Sequence, residues 1–142
     1  MTRLEEKRFT ITVAGNPVVT KIGRMTPRAD EAQAKIKHVF EEKFGVIKPI
    51  GTVKLTIDAV AALPGRHGRR HADRFIQNRR SICDIGSVDG IIRTVLRALL
   101  GVAYDDMSIV EEVTCSKRCG TVAVTMITLT ATVEVNDDDS RV

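Results

Sequence analysis

At 142 residues, with 43% hydrophobic and 28% charged residues, the chain has the size and composition of one globular domain, neither fibrous nor disordered. It has no apolar stretch near the ~20 residues of a membrane span, and Met1–Phe9 is charged, without the apolar core of a secretory signal. Its three cysteines, Cys83, Cys115 and Cys119, are odd in number and irregularly spaced, which fits a reducing compartment better than a disulfide framework.

In chain order, Phe9, Ile11 and Val13 alternate with polar residues, so residues 8–13 predict a half-buried strand ended by the turn residues Ala14-Gly15-Asn16-Pro17. Residues 30–44 place Ala32, Ile36, Val39, Phe40 and Phe44 at helical spacing, with Gly45 as the stop. Val53, Leu55 and Ile57 alternate in a second strand over 53–59. Residues 64–82 are long, basic and glycine-containing, a loop of the kind that is functional or mobile inside a compact domain. A second helix follows over 88–100, with Ile91, Ile92, Val95, Leu96, Leu99 and Leu100 on a broad apolar face, Ser87 as its N-cap and Gly101 as its end. Residues 109–114 and 121–135 read as two strands forming a closing hairpin, with Lys117-Arg118-Cys119-Gly120 near its turn. The order β-α-β-loop-α-β-β predicts a single α+β domain with a mixed sheet and two main helices, followed by an acidic flexible tail over 136–142.

The charge is localised. Between Arg66 and Arg80 lie Arg66, Arg69, Arg70, Arg74, Arg79 and Arg80 against one acid, Asp73, a local charge of +5 that leaves −1 for the rest of a chain whose formal net charge is +4. Guanidinium forks match phosphate oxygens bidentately, so this segment is a candidate phosphate-binding surface, with Lys117 as an outlying contributor. Four aspartates flank the second helix: Asp84 and Asp89 at its start, Asp105 and Asp106 beyond its end. If the chain folds back at Gly101, these carboxylates form the oxygen set that Mg²⁺ takes, a metal that polarises a phosphodiester and activates water. Arg93 lies one helical turn beyond Asp89, where a cation stabilises developing negative charge. The plainer reading of Asp89 is a carboxylate suited to a helix start, and of Asp105-Asp106 a pair of turn residues. The cysteines lack a convincing fourth zinc ligand, although His67 or His71 is conceivable, and His38 falls on the polar side of the first helix. With five aromatics and no tryptophan, a base-stacking platform for single strands is disfavoured.

The stretch Asp89-Gly90-Ile91-Ile92-Arg93, continuing through Gly101-Val102-Ala103-Tyr104-Asp105-Asp106 to Val110, resembles the RusA-type Holliday-junction resolvases. Phe9-Thr10-Ile11, Gly15-Asn16-Pro17-Val18, Lys21, Arg24 and Pro27-Arg28 resemble that family's opening strand and basic segment, and the resemblance covers roughly residues 9–133. The family signature is Pro-Asp-x-Asp-Asn, a helix bearing Lys, Asn-Gly-x-x-Tyr and an acidic pair. Here Ser87 falls where the first aspartate belongs unless Asp84 replaces it, Gly90 stands for Asn, and Arg93 stands for the functional Lys. The resemblance implies a homodimer that nicks four-way DNA junctions in pairs with Mg²⁺, or Mn²⁺ as substitute. Asp84, Asp89, Asp105 and Asp106 would be the metal set, and Arg93 the phosphate-stabilising cation. It also implies a bacterial cytoplasmic setting and a phage or prophage source. The competing expectation is a junction- or DNA-binding protein on the same fold whose catalytic set has eroded. RNA binding through the basic loop is a remoter third, disfavoured by the few aromatics.

Overall fold

The structure is a computed structural model that describes residues 2–15, 27–62 and 88–136, with backbone alone for residues 27–30, 61–62 and 119. Lys21, Arg24, the Arg66–Arg80 cluster with His67 and His71, Cys83, Asp84, Ser87 and residues 137–142 lie outside the described residues.

The elements are β1 (Thr2–Ala14), α1 (Pro27–Phe44), β2 (Val53–Ala62), α2 (Val88–Leu99), a short 3₁₀ turn (Met107–Ile109), β3 (Val110–Gly120) and β4 (Val124–Asn136). One four-stranded sheet has the order β1-β4-β2-β3. β4 runs antiparallel to β1 and β2, while β2 and β3 are parallel. This is the mixed sheet with two helices of an α+β domain.

Alternation drives the burial. Phe9, Ile11 and Val13 of β1, Leu55, Ile57 and Ala59 of β2, and Ile127, Leu129 and Ala131 of β4 all lie within the core. Strand side chains alternate between faces, so these residues define one covered face. The helices supply Ile36 and Phe40 from α1 and Ile91, Val95, Ala98 and Leu99 from α2. Phe9 stands edge-on to Phe44, with ring centroids 5.0 Å apart, and Phe40 completes the aromatic cluster.

Two directions follow from specific bonds. Lys35 of α1 donates to the carbonyl of Ala14 at 2.6 Å and Lys43 to that of Thr10 at 2.8 Å, so α1 runs back along β1. The turn after α2 is tied by Ile47 N–H to Val102 O at 2.8 Å, close to where β2 begins. In a parallel β–α–β unit the helix returns from the end of the first strand to the start of the second. The sheet therefore has an exit edge, where β1, β2 and β3 finish and β4 starts, and an entry edge opposite.

The predicted closing hairpin does not form. β3 pairs with β2, from Val53↔Val110 to Ala62↔Gly120, whereas β4 pairs with β1 and with the other side of β2. Residues 121–123 carry the chain over the end of β2 instead of turning it back beside β3. Lys117, Arg118 and Gly120 consequently belong to β3 itself rather than to a turn. β1 and β3 also exceed their predicted lengths, β1 because Thr2–Lys7 pairs in register with Ala131–Asn136 of β4, and β3 because it runs on to Gly120. Asn136, predicted to open the tail, ends β4 opposite Thr2.

Candidate functional site

The site begins at α2. Its buried residues Gly90, Ile91, Thr94, Val95, Ala98 and Leu99 recur at helical spacing and fix which side faces solvent. Asp89 and Arg93 lie on that outer side, and Arg93 Nη2 meets Asp89 Oδ2 at 3.2 Å. Their side chains are 81% and 44% exposed, which makes this an open ion pair worth well under ~1 kcal/mol. Both groups thus remain available to a ligand arriving from solvent. Asp89 also sits in the first turn of α2, where the helix dipole favours its negative charge. Thr94 donates back to the Gly90 carbonyl at 2.9 Å, so the inner side of this turn is internally satisfied.

The other end of α2 is a built turn. Gly101 has φ +95°, its N–H donates to Tyr104 O at 2.7 Å, and Ala103 N–H donates to Leu99 O at 2.8 Å. The Tyr104 ring is buried in the core, and its hydroxyl donates to Leu96 O at 2.5 Å. Burial pushes the Tyr104 phenol above its ordinary range, so it stays protonated and acts as an anchor. The chain then emerges at Asp105 and Asp106, both exposed. Asp106 Oδ1 accepts from Ser108 N–H at 2.9 Å and caps the 3₁₀ turn, which holds its carboxyl below the usual range.

The fold-back at Gly101 therefore exists, but the contacts it makes reach Leu99 and Leu96. At about 1.5 Å per residue, Asp89 stands roughly 15 Å from Leu99 along the axis. Asp89 belongs to the exit edge and Asp105-Asp106 to the entry edge of the sheet. Among the described residues no group of three or more His, Cys, Asp or Glu side chains is arranged to hold a metal ion. Asp89 can offer one carboxylate, but the described carboxylates do not by themselves assemble a Mg²⁺ shell. Asp84 lies outside the described residues.

The described chain breaks off and resumes at the exit edge. The segment bearing Arg66–Arg80 leaves from Ala62 and returns at Val88, beside Asp89 in sequence. Lys117 sits in β3 opposite Ala59, half-buried and with a partner of its own, not projecting from a turn. Arg118 faces the other side of β3 and binds Asp58 in a fork, with Nη2 to Oδ2 at 3.2 Å and Nε to Oδ1 at 3.4 Å. Ser116 adds a bond to Asp58 at 3.1 Å. Sequence reasoning missed this network because its members are about sixty residues apart. The available signal was Asp58 itself, a charge on the outward phase of an apolar-alternating strand. His38 is exposed and pairs with Glu42 at 3.3 Å, as expected for the polar side of α1. Cys115 is a half-buried free thiol, pushed up by burial and by Asp58. No helix among the described residues is long and apolar enough to cross a membrane. A scan against protein-family models and a search of curated proteins found no match to this chain.

Proposed function

We propose that this protein is a structure-selective endodeoxyribonuclease of the RusA type, which resolves four-way DNA junctions by Mg²⁺-dependent paired nicking as a homodimer. The observation that carries the reading is the in-register run from Asp89 to Val110. One amphipathic helix opens with an exposed carboxylate and a cation one turn on, and closes through Gly101 and a buried Tyr104 onto an exposed acidic pair. The return of the arginine-rich segment to the start of that helix supports it, since phosphate-binding charge then adjoins Asp89 in the chain. In this reading Asp84 and Asp89 would hold Mg²⁺, while Asp105 and Asp106, at the far end of α2, would lie outside that shell. The metal, when bound, polarises the phosphodiester and activates water. Arg93 faces the phosphate, and Arg66, Arg69, Arg70, Arg74, Arg79 and Arg80, with Lys117 at the margin, position the backbone without reading sequence.

The distance between the ends of α2 and the exchange of Lys for Arg93 favour a second reading: a junction-binding protein on this fold without cleavage. One experiment separates the two. A synthetic mobile four-way junction is incubated with Mg²⁺, with Mn²⁺ or with EDTA, beside a linear duplex of the same sequence. Symmetric, metal-dependent nicks on the junction alone establish the resolvase. Salt-sensitive junction binding without product in either metal establishes the binding protein.

A further inference from the structure

β4 outruns its neighbour β2. The two pair only from Lys54↔Thr130 onward, while β4 continues along β1 to Asn136. Ahead of β2 the chain reaches β4 once more, where Ile50 N–H donates to Thr132 O at 2.7 Å. That bond shows Thr132 turning its backbone groups toward the β2 side. The direction alternates along an antiparallel strand, so Glu134 and Asn136 turn theirs the same way. No described strand lies beside Glu134 and Asn136 on that side. Next to this stretch is a groove of about 590 Å³ with Phe9, Ile47, Pro49, Ile50 and Val133 in its lining. Ile50 is 41% exposed there, and Val133 is only partly buried.

We propose that residues 139–142 turn back at Asp137-Asp138 and add to Val133–Asn136 as a short fifth strand. Residues 137–142 lie outside the described residues and continue directly from Asn136, whereas residues 16–26 and 63–87 begin and end beside the exit edge. The ladder selects the turn. A two-residue loop sets Asn136 opposite Asp139 and Glu134 opposite Arg141, and these are the β4 residues whose backbones face that side. Directly opposite residues share a face of the sheet. Val142 therefore joins Val133 over the apolar groove, and Arg141 meets Glu134 on the other face, opposite charges in register. Aspartate is among the few residues other than glycine that such turns favour. A four-residue loop sets Arg141 opposite Asn136 and Val142 opposite Val135, and both matches are lost.

Four residues at ~3.4 Å each run roughly 14 Å, enough to return from the turn to Val133. The added strand closes an edge that β4 otherwise presents for pairing with another chain. The inference rests on the ladder and the groove, and on no part of the nuclease reading.

Amide hydrogen exchange followed by NMR on the full chain, without DNA or metal, tests this. Asp139 and Arg141 N–H are expected to exchange about tenfold or more slower than in a free chain, while Ser140 N–H, on the outer edge, exchanges freely. Val142→Asp puts a charge over the apolar groove and should return Asp139 and Arg141 to free-chain rates, with the core amides reporting that the variant is folded. Lys37→Glu, on the exposed side of α1, should change nothing. Paired cysteines test the register. Val135→Cys with Ser140→Cys sets two thiols directly opposite in a non-hydrogen-bonded pair, within disulfide reach. That pair should close about tenfold or more faster than Val135→Cys with Arg141→Cys, and peptide mapping separates the new disulfide from any formed by Cys83, Cys115 or Cys119. Free-chain exchange at Asp139 and Arg141 in the wild type, protection that Val142→Asp leaves in place, or equal closure of the two cysteine pairs overturns the proposal. Protection of Glu134 N–H without protection at Asp139 and Arg141 also overturns it, and means that a separate chain occupies the edge.

Discussion

The residues around α2 divide into groups that hold the chain and groups free to act. Gly101 holds: at φ +95° a side chain is strained, and a built Cβ would meet only Lys37 Nζ at 3.7 Å, an ordinary contact. Gly101→Ala should therefore cost about 1–2 kcal/mol through conformation alone, and lower Tm by roughly 3–8 °C in a thermal melt. Asp106 also holds. Its carboxyl is lowered by the Ser108 N–H and then by the Ser108 side chain. Its folded pKa thus lies below its unfolded value, and its contribution is complete above about pH 4 and fades as pH falls through the folded value. Melts of wild type and Asp106→Ala should differ at neutral pH and converge in acid; a gap that widens in acid would reverse the sign. Asp89 is 81% exposed and anchors nothing in the core. Asp89→Asn should leave Tm within about 2 °C, consistent with a surface change of under ~0.5 kcal/mol. If Asp89 holds the metal, junction cleavage should fall by about 10²-fold or more, the scale expected on losing electrostatic stabilisation of the transition state, with binding retained in a gel-shift titration.

At the scale of elements, the crossing of β3 to β4 over the end of β2 depends on one missing side chain. A Cβ on Gly120 would lie 2.7 Å from Val60 Cγ1, closer than real contacts allow. Gly120→Ala should cost about 1–3 kcal/mol by overpacking. Val60→Ala in the same chain should recover part of it, with a coupling above ~0.5 kcal/mol in denaturant titrations of the four variants. This crossing was the part of the fold least legible in the sequence. Ile127, Leu129 and Val13 announce their strands by alternation, and Ile91, Val95 and Leu99 announce α2 by period. Neither signal carries pairing order, so two consecutive strands with a short link read as a hairpin. The start of β1 was invisible for another reason: Arg3, Glu5 and Lys7 occupy the phase that Phe9, Ile11 and Val13 continue, so Thr2–Lys7 shows no apolar alternation, whereas Ala131, Val133 and Val135 keep the phase of β4. The candidate site was legible where it is local, in Asp89, Arg93 and the Gly101–Asp106 turn. It was not legible where it depends on which end of a helix meets which edge of a sheet. The same topology exposes β1 as an edge strand, and the lysines that bond Thr10 and Ala14 blunt it in the way natural sheets protect their edges.

For the molecule as a whole, the uneven charge sets how it should meet DNA. Six arginines lie within Arg66–Arg80, while the remainder of the chain carries −1. If the junction is held through phosphates, affinity must fall with salt in proportion to the contacts made, because each releases condensed counterions. Six contacts per protomer give a log–log slope of about −5, so raising salt from ~50 to ~200 mM should weaken binding roughly 10³-fold. Changing Arg66, Arg69 and Arg70 together to Ala should make that slope shallower by about 3, and do so equally for junctions of different sequence, since phosphate contacts position without specifying. Asp89→Asn should leave the slope unaltered, because a carboxylate releases no counterion from DNA. Fluorescence-anisotropy titrations of these proteins over that salt range decide the matter. A slope near −1 in the wild type, or one that the triple arginine change leaves in place, would mean that the basic segment does not hold the DNA. The source of affinity would then have to be sought among the other basic residues, of which Arg118 is already engaged by Asp58 and Lys117 is half-buried.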